Sequence, residues 1–187
     1  MYHATTVISD SERQIIDQAA AILAEGRGRT MNEIAELSGI GRTTLYRHFR
    51  TRDELLAAVK AQALADAWTA IEASRPAEDD AETALRRVIA SLIGVGDRYR
   101  VVFTEGMPAK EPKPEHLELK NALVALIERG QREGAFAATL TPDWILSAMG
   151  ALTFAAIRKI NEGDLARNYA ADTVADTLLN GIRTPLK

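Results

Sequence analysis

Residues 30–49 have the sequence TMNEIAELSGIGRTTLYRHF, in which local signals predict two short helices. Thr30 with Glu33 forms a capping-box pattern that predicts the start of a helix, and Gly39 predicts a turn with a positive φ angle. A second short helix is predicted over 42–49. Two short helices joined by a tight turn are typical of a helix-turn-helix, whose second helix enters the major groove of DNA.

The two helices divide into an apolar side and a polar side. Apolar positions that can pack inward are Ile34, Ala35, Ile40, Leu45 and Phe49. The opposite side of the second helix carries Arg42, Thr43, Thr44, Tyr46, Arg47 and His48, and Arg50 and Arg52 follow it. Side chains of these types can bond base edges or phosphates, so the pattern predicts a DNA-reading surface. From spacing alone, a corner between two helices in an unrelated protein is an equal alternative.

The charge of the chain supports this prediction only locally. The formal net charge is −3, yet residues 27–52 hold six arginines against two glutamates. Attraction to phosphate acts within about a Debye length, so a local basic excess on an acidic protein is compatible with DNA binding. Asp53 and Glu54 follow directly and reduce the excess.

The rest of the chain also carries helical patterns and no strand-like alternation. An amphipathic helix is predicted over Ser11–Glu25, a long helix from Asp53 to about Ala73, and a short one over Tyr99–Thr104. Thr141 as N-cap, followed by proline, predicts a helix that ends near Glu162 with a glycine behind it. The expected fold is all-α with about nine helices.

Residues 30–55 carry a pattern that resembles the DNA-binding signature of the TetR (tetracycline-repressor) family. The pattern is Thr30-x-x-x-Ile34-Ala35-x-x-x-Gly39-Ile40-x-x-x-x-Leu45-Tyr46-x-His48-Phe49-x-x-Arg52-Asp53-Glu54-Leu55. Gly130-Gln131-x-x-Gly134-x-Phe136 is similar to a pattern late in the same family. One departure is Gly26-Arg27-Gly28-Arg29, where similar proteins tend to have a single glycine and then an apolar residue.

The resemblance implies a fold and a set of DNA contacts. It implies an N-terminal three-helix DNA-binding domain, residues 1–52, and a C-terminal ligand-binding and dimerisation domain, residues 53–187. It also implies base contacts from Arg42, Thr43, Thr44 and Arg47, phosphate contacts from Tyr46, His48 and Arg52, and a Thr30 that caps its helix towards the DNA backbone. The implied protein is a homodimer on a palindromic operator in double-stranded DNA, and a regulator, expected to be a repressor.

A largely apolar small-molecule effector is the second partner that the resemblance implies. Its pocket would lie between the middle helices, and the candidate lining residues are Trp68, Tyr99, Phe103, Met107, Trp144, Met149 and Phe154. For each of them an ordinary place in the core is the alternative. A regulator controlled by a protein partner, or by no ligand, remains a second hypothesis.

The helix that follows Thr141 is apolar nearly all round, so neighbours must cover it on all sides. Small residues that would let a second subunit approach one face are Ala148, Gly150, Ala151, Ala155 and Ala156. A monomer with a central helix is the alternative.

Several function classes lack support in the sequence. There is no cysteine, and His3, His48 and His116 form no metal-ligand spacing, so we expect no metal, no cofactor and no catalytic site. The start carries no signal-peptide pattern, and the apolar run Ile145–Ile157, broken by Ser147 and Thr153, is shorter than the ~18 residues of a membrane span. A cytoplasmic protein that is not an enzyme is expected. A helical small-molecule-binding protein without DNA activity is the rival hypothesis.

Overall fold

The computed structural model describes residues 9–25, 28–96 and 114–182. These ranges contain eight helices and no β-strand, as the all-α prediction requires. They are α1 (Asp10–Glu25), α2 (Met31–Ser38), α3 (Arg42–His48), α4 (Arg52–Ala73), α5 (Ala81–Gly96), α6 (Pro114–Arg132), α7 (Pro142–Glu162) and α8 (Arg167–Ile182). The sequence predicts about nine helices, and the additional one, over Tyr99–Thr104, lies outside the described residues. None of the described helices is both long and apolar enough to cross a membrane.

Two compact units divide the described residues. The first ends at Ala63, and the second consists of residues 64–96 and 114–182. The division falls inside α4, whereas the sequence places a domain boundary at the start of this helix, between Arg52 and Asp53. One continuous helix thus contributes to both units, and the boundary after Arg52 stays a prediction.

The first unit has a small core made by its short helices. α1 packs against α2, and α2 packs against α3. Ile16, Ile34, Leu45 and Leu55 have no solvent-exposed surface. Burial of such a side chain stabilises the folded state by roughly 1.5–3 kcal/mol, and helices as short as α2 and α3 are marginal in isolation. The core therefore fixes the crossing of these two helices.

The predicted ends of α7 are confirmed. The Thr141 hydroxyl accepts a hydrogen bond from the Trp144 backbone N–H at 3.3 Å, and Pro142 occupies the first position of the helix. Gly163 closes the helix with a φ of 82°, in the left-handed region that favours glycine. These local signals suffice to set the bounds of α7.

The second unit is built from α5, α6, α7, α8 and the end of α4. α8 packs against α5 and α7, and α6 packs against the same two helices. The fully buried side chains of this unit include Leu85, Ile89, Ile127, Ile145, Ile157 and Leu179. Each of the four packed helices contributes to one continuous apolar interior.

The turn between α6 and α7 explains the late-chain glycine pattern. A Cβ atom on Gly130 would lie 2.3 Å from the Phe136 ring, so the buried ring needs a residue without a side chain there. The Gly130 carbonyl also accepts the Phe136 N–H at 3.0 Å, and the turn passes through Gly134 with a φ of 76°. Gln131 completes the turn, because its side-chain amide donates to the carbonyls of Ala137 and Leu140.

Two arginines hold the loop between α4 and α5. Arg87 of α5 and Arg129 of α6 donate hydrogen bonds to five consecutive carbonyls of this loop. The acceptors are Ser74, Arg75 and Glu78 for Arg87, and Pro76 and Ala77 for Arg129. Arg75 has a φ of 51°, which is unusual for a residue other than glycine, so these contacts stabilise a backbone that is unfavourable in isolation. The end of α4 is thereby fixed to the second unit.

The faces of α7 differ in burial. Its inner face buries Ile145, Met149, Thr153, Ala156 and Ile157. Its other side carries Trp144, which is 62% exposed, with exposed Gly150 and Ala151. Ala156, 6% exposed, belongs to the inner face, so its prediction as a residue that faces a second subunit is wrong. The helix is thus covered on one side only by its own unit.

Candidate nucleic-acid interface

The entry to α2 is fixed by a complete capping box. The Thr30 hydroxyl accepts the Glu33 backbone N–H at 3.3 Å, and the Glu33 carboxylate accepts the Thr30 N–H at 2.7 Å. The same hydroxyl donates to that carboxylate at 2.8 Å. The bonds from the backbone and the hydroxyl of Thr30 lower the pKa of Glu33 below its usual value of 4.5. The Thr30 side chain, predicted to face DNA, is therefore engaged within the helix cap.

The turn between α2 and α3 passes through Gly39. Its φ is 71°, as predicted from the sequence, and its N–H donates to the Glu36 carbonyl at 3.3 Å. The Ser38 hydroxyl donates to the Ile34 carbonyl at 2.6 Å and accepts the Ile40 N–H at 3.4 Å. These contacts determine the direction in which α3 leaves the turn.

α3 has one buried and one exposed side. Leu45 is fully buried and Phe49, which closes the helix, is 4% exposed. The polar residues lie elsewhere on the helix: Arg42, Thr43, Tyr46 and Arg47 are exposed, and Thr44 and His48 are half-buried. The six residues of α3 that are predicted to contact DNA therefore lie on the solvent side of this helix or at the edge of that side.

The cations of α3 are available to an anionic partner. Within the part of the chain that the structure describes, the side chains of Arg42 and Arg47 make no ion pair and no hydrogen bond. By contrast, Arg86 of α5 pairs with Asp176 at 2.7 Å and with Glu82 at 3.3 Å. Guanidinium groups without an internal partner can donate to guanine or phosphate without first breaking a contact.

Arg52 behaves differently from the α3 arginines. Its Nε donates to the Arg29 carbonyl at 3.0 Å, and the side chain is half-buried.

The start of α4 is held by two hydrogen bonds. The Thr51 hydroxyl accepts the Glu54 N–H at 3.1 Å, while the Glu54 carboxylate accepts the N–H of Arg50. Thr51 and Glu54 thus form one half of a capping box, and the glutamate bonds the N–H of Arg50, one residue earlier than a complete box requires.

The predicted ligand-lining residues of the second unit are dispersed. Met149 is 4% exposed on the inner face of α7, and Trp68 and Phe154 are half-buried. Trp144 is 62% exposed, so it does not share the inner face with Met149. The three other candidates, Tyr99, Phe103 and Met107, lie outside the described residues. The set of residues that lines an effector pocket therefore stays a prediction.

Sequence reasoning missed one polar residue of this region, Thr153. It is 5% exposed, and its hydroxyl has no hydrogen-bond partner among the described residues. The available signal was its position as a polar residue inside the apolar run of α7.

Comparisons with known proteins agree with this geometry. Residues 15–59 match the family profile described as bacterial regulatory proteins, tetR family. Over 93% of the chain, the sequence is 27% identical to the HTH-type transcriptional repressor LfrR of Mycolicibacterium smegmatis, covering 91% of that protein. It is also 27% identical to the HTH-type transcriptional regulator NfxB of Pseudomonas aeruginosa, over 97% of this chain and 99% of that one.

Solved structures with the same fold are similar over nearly the whole chain. The crystal structure of LfrR in complex with proflavine has a TM-score of 0.70 and 28% sequence identity, covering 93% of this chain and 98% of LfrR. The regulator PfmR of Thermus thermophilus has a TM-score of 0.71 at 22% identity, covering 89% of this chain and 97% of PfmR, which shows the fold alone.

Proposed function

We propose that the chain is a DNA-binding transcriptional regulator of the TetR family of bacterial regulatory proteins. It acts as a homodimeric repressor that a small molecule releases from its operator. The observation that carries the proposal is the solvent side of α3, where Arg42 and Arg47 lie exposed beside the buried Leu45. A rigid helix that presents unpaired guanidinium groups matches what recognition in the major groove requires.

Side chains of the first unit have separate roles in this proposal. Base edges are read by Arg42, Thr43, Thr44 and Arg47, and phosphates are bound by Tyr46, His48 and Arg52. Arg52 lies half-buried at the start of α4, where its Nε donates to the Arg29 carbonyl, and in this proposal the same guanidinium also contacts a phosphate. Thr30 supports DNA binding through the cap of α2, since its hydroxyl is already bonded to Glu33.

A homodimer accounts for the uncovered side of α7. Trp144 at the start of α7 and Tyr169 at the start of α8 are 62% and 64% exposed, which is unusual for large aromatic side chains. The small residues Gly150 and Ala151 on the exposed side of α7 would allow close approach of a second copy. A two-fold dimer would present two copies of α3 to a palindromic operator with half-sites about one helical turn apart.

Small-molecule control is proposed for the second unit. LfrR, a repressor similar over 93% of the chain, has been solved with proflavine, which supports an aromatic and largely apolar effector here. In the described residues, Trp68, Met149 and Phe154 are the candidates that would contact it. An effector that binds the DNA-free form better than the operator-bound form shifts the population and releases DNA.

The experiment is an electrophoretic mobility shift with DNA fragments that flank the protein's own coding region. The proposal predicts a salt-sensitive complex with one fragment that unrelated competitor DNA does not remove, and loss of that complex when proflavine is added. Complete absence of sequence-selective binding would overturn the proposed regulator. Binding that no small molecule reverses would favour control by a protein partner.

A further inference from the structure

Thr153 is a buried polar residue in an apolar setting. Its neighbours on the inner face of α7 are Met149, Ala156 and Ile157, and all four side chains are at most 6% exposed. The Thr153 Oγ1 has no hydrogen-bond partner among the described residues. A buried hydroxyl without a partner destabilises the folded state, and such groups are rare enough in native proteins to need an explanation.

Several other hydroxyls on the described helices donate to a carbonyl of their own helix. Ser147, on the same helix as Thr153, donates to the Asp143 carbonyl at 2.8 Å. Thr69 donates to the Ala65 carbonyl at 3.0 Å. Threonine in a helix commonly adopts a rotamer that makes this bond to the residue four positions earlier. Thr153 could reach Met149 in the same way but does not, so its hydroxyl remains available inside the second unit.

The surroundings of Thr153 indicate where such a partner would sit. One turn later on the same face, the Ile157 side chain covers Gly96 of α5 so closely that a Cβ on this glycine would lie 2.1 Å from the isoleucine Cδ1. Thr153 therefore lies on the face of α7 that packs against α5. Met149, one turn earlier on the same face, is one of the residues predicted to contact an effector.

The charges of α7 limit the chemistry of the partner. The buried residues of this helix include no charged side chain. The nearest cations along the helix, Arg158 and Lys159, are exposed and both contact the Glu162 carboxylate. A hydroxyl can donate and accept a hydrogen bond, but the inner face of α7 offers no cation that could neutralise an anionic ligand. The site therefore suits a polar atom on an apolar molecule and does not suit a carboxylate or a phosphate.

From these observations we infer that Thr153 is the hydrogen-bonding anchor of the effector. Its hydroxyl bonds an amine, ring nitrogen, hydroxyl or carbonyl group of a largely apolar ligand that enters between α5 and α7. This inference rests on the proposed small-molecule control and assigns a specificity-determining residue to it. The stability lost to the unpaired hydroxyl in the ligand-free protein is regained when the ligand binds.

The test compares Thr153→Val with Thr153→Ser, and uses Thr69→Val as a matched control on the exposed surface of α4. Valine keeps the shape and removes the hydroxyl. Without ligand, T153V is expected to raise Tm by about 2–4 °C, because it replaces an unpaired buried hydroxyl with a methyl group. T69V, which loses a bonded hydroxyl, should not raise Tm. A lower Tm for T153V would show that the hydroxyl has a partner inside the protein, and would overturn the inference.

Ligand binding is then measured by fluorescence titration with proflavine, a planar aromatic amine, on the same full-length variants. The wild-type chain and T153S should bind with similar affinity, and T153V about three- to tenfold more weakly, as expected for loss of one hydrogen bond. Equal binding by T153V and the wild type would overturn the role of Thr153 while leaving the proposed function intact. No proflavine binding by the wild type would refute the inferred ligand chemistry, and the operator assay would still decide DNA binding separately.

Discussion

Arg52 donates a hydrogen bond from its Nε to the backbone carbonyl of Arg29, 3.0 Å away. The two residues are 23 positions apart, and the bond joins the first residue of α4 to the loop that precedes α2. The second glycine of the unusual Gly26-Arg27-Gly28-Arg29 segment takes part in this arrangement, because Gly28 adopts a φ of 79° just before Arg29. Arg52, which the resemblance assigns only to a phosphate contact, thus also stabilises the first unit.

Replacement of Arg52 is therefore expected to affect stability as well as DNA binding. Arg52→Ala should lower the free energy of unfolding by about 1–2 kcal/mol, since it removes the charged donor of this part-buried hydrogen bond. Urea denaturation measures this loss. Arg50→Ala is the matched control, because Arg50 is exposed and its change should stay within about 0.5 kcal/mol. If the variant binds the operator more weakly but keeps its stability, Arg52 only contacts phosphate and does not stabilise the fold.

Arg42 offers a test of base recognition. Arg42→Ala should weaken operator binding by about 1–3 kcal/mol, which is roughly 5- to 150-fold, with a smaller effect on random DNA. Fluorescence anisotropy on both duplexes gives the two constants. Arg132→Ala carries the same charge change on an exposed position of α6 and should leave both constants unchanged. An equal loss of affinity for operator and random DNA would show that Arg42 contacts only phosphate.

The capping box gives the first unit a pH dependence of known sign. Hydrogen bonds from Thr30 hold the folded-state pKa of Glu33 below 4.5, so the ionised glutamate stabilises the fold at neutral pH. This contribution is lost as the pH falls from about 4.5 through the lowered folded-state pKa. Glu33→Gln should be less stable than the wild type at pH 7, and the difference should shrink in acid. Denaturation at several pH values checks this, with Glu36→Gln as control. A difference that does not depend on pH would contradict the role of the charge.

The Gly130 contact with Phe136 predicts opposite effects for two glycine replacements. Gly130→Ala should destabilise the protein by about 1–3 kcal/mol, because its Cβ would lie 2.3 Å from the buried ring. Gly94→Ala on α5 meets no atom within 4 Å, so the better helix propensity of alanine should leave stability unchanged or raise it by up to ~1 kcal/mol. Thermal unfolding separates the two. Equal effects would show that the ring moves aside without cost.

Local signals predicted much of the fold. Gly39 and Gly163 each end a helix with a positive φ, and Thr30 and Thr141 begin helices through their hydroxyls, as the sequence indicates. Such features depend on residues within one turn of each other, so the sequence contains all the information they need. The polar side of α3 was predictable for the same reason.

Other features depend on contacts between distant segments. The bond from Arg52 to Arg29 could not be read from the sequence, because nothing local distinguishes a bracing arginine from one that faces DNA. The exposure of Trp144 and the burial of Thr153 are likewise set by which face of α7 its own unit covers. An apolar helix leaves that choice open, since hydrophobic residues on every side satisfy several packings equally well.

The ratio of dissociation constants for a scrambled duplex and for the operator measures directly whether α3 reads the operator sequence. It is determined at one salt concentration for the wild type and for the double variant R42A/R47A. We predict a ratio of about 10³ or more for the wild type and a fall towards one for the variant, with its dimeric state retained. A wild-type ratio near one, or an unchanged ratio in the double variant, would contradict the claim that α3 reads the operator.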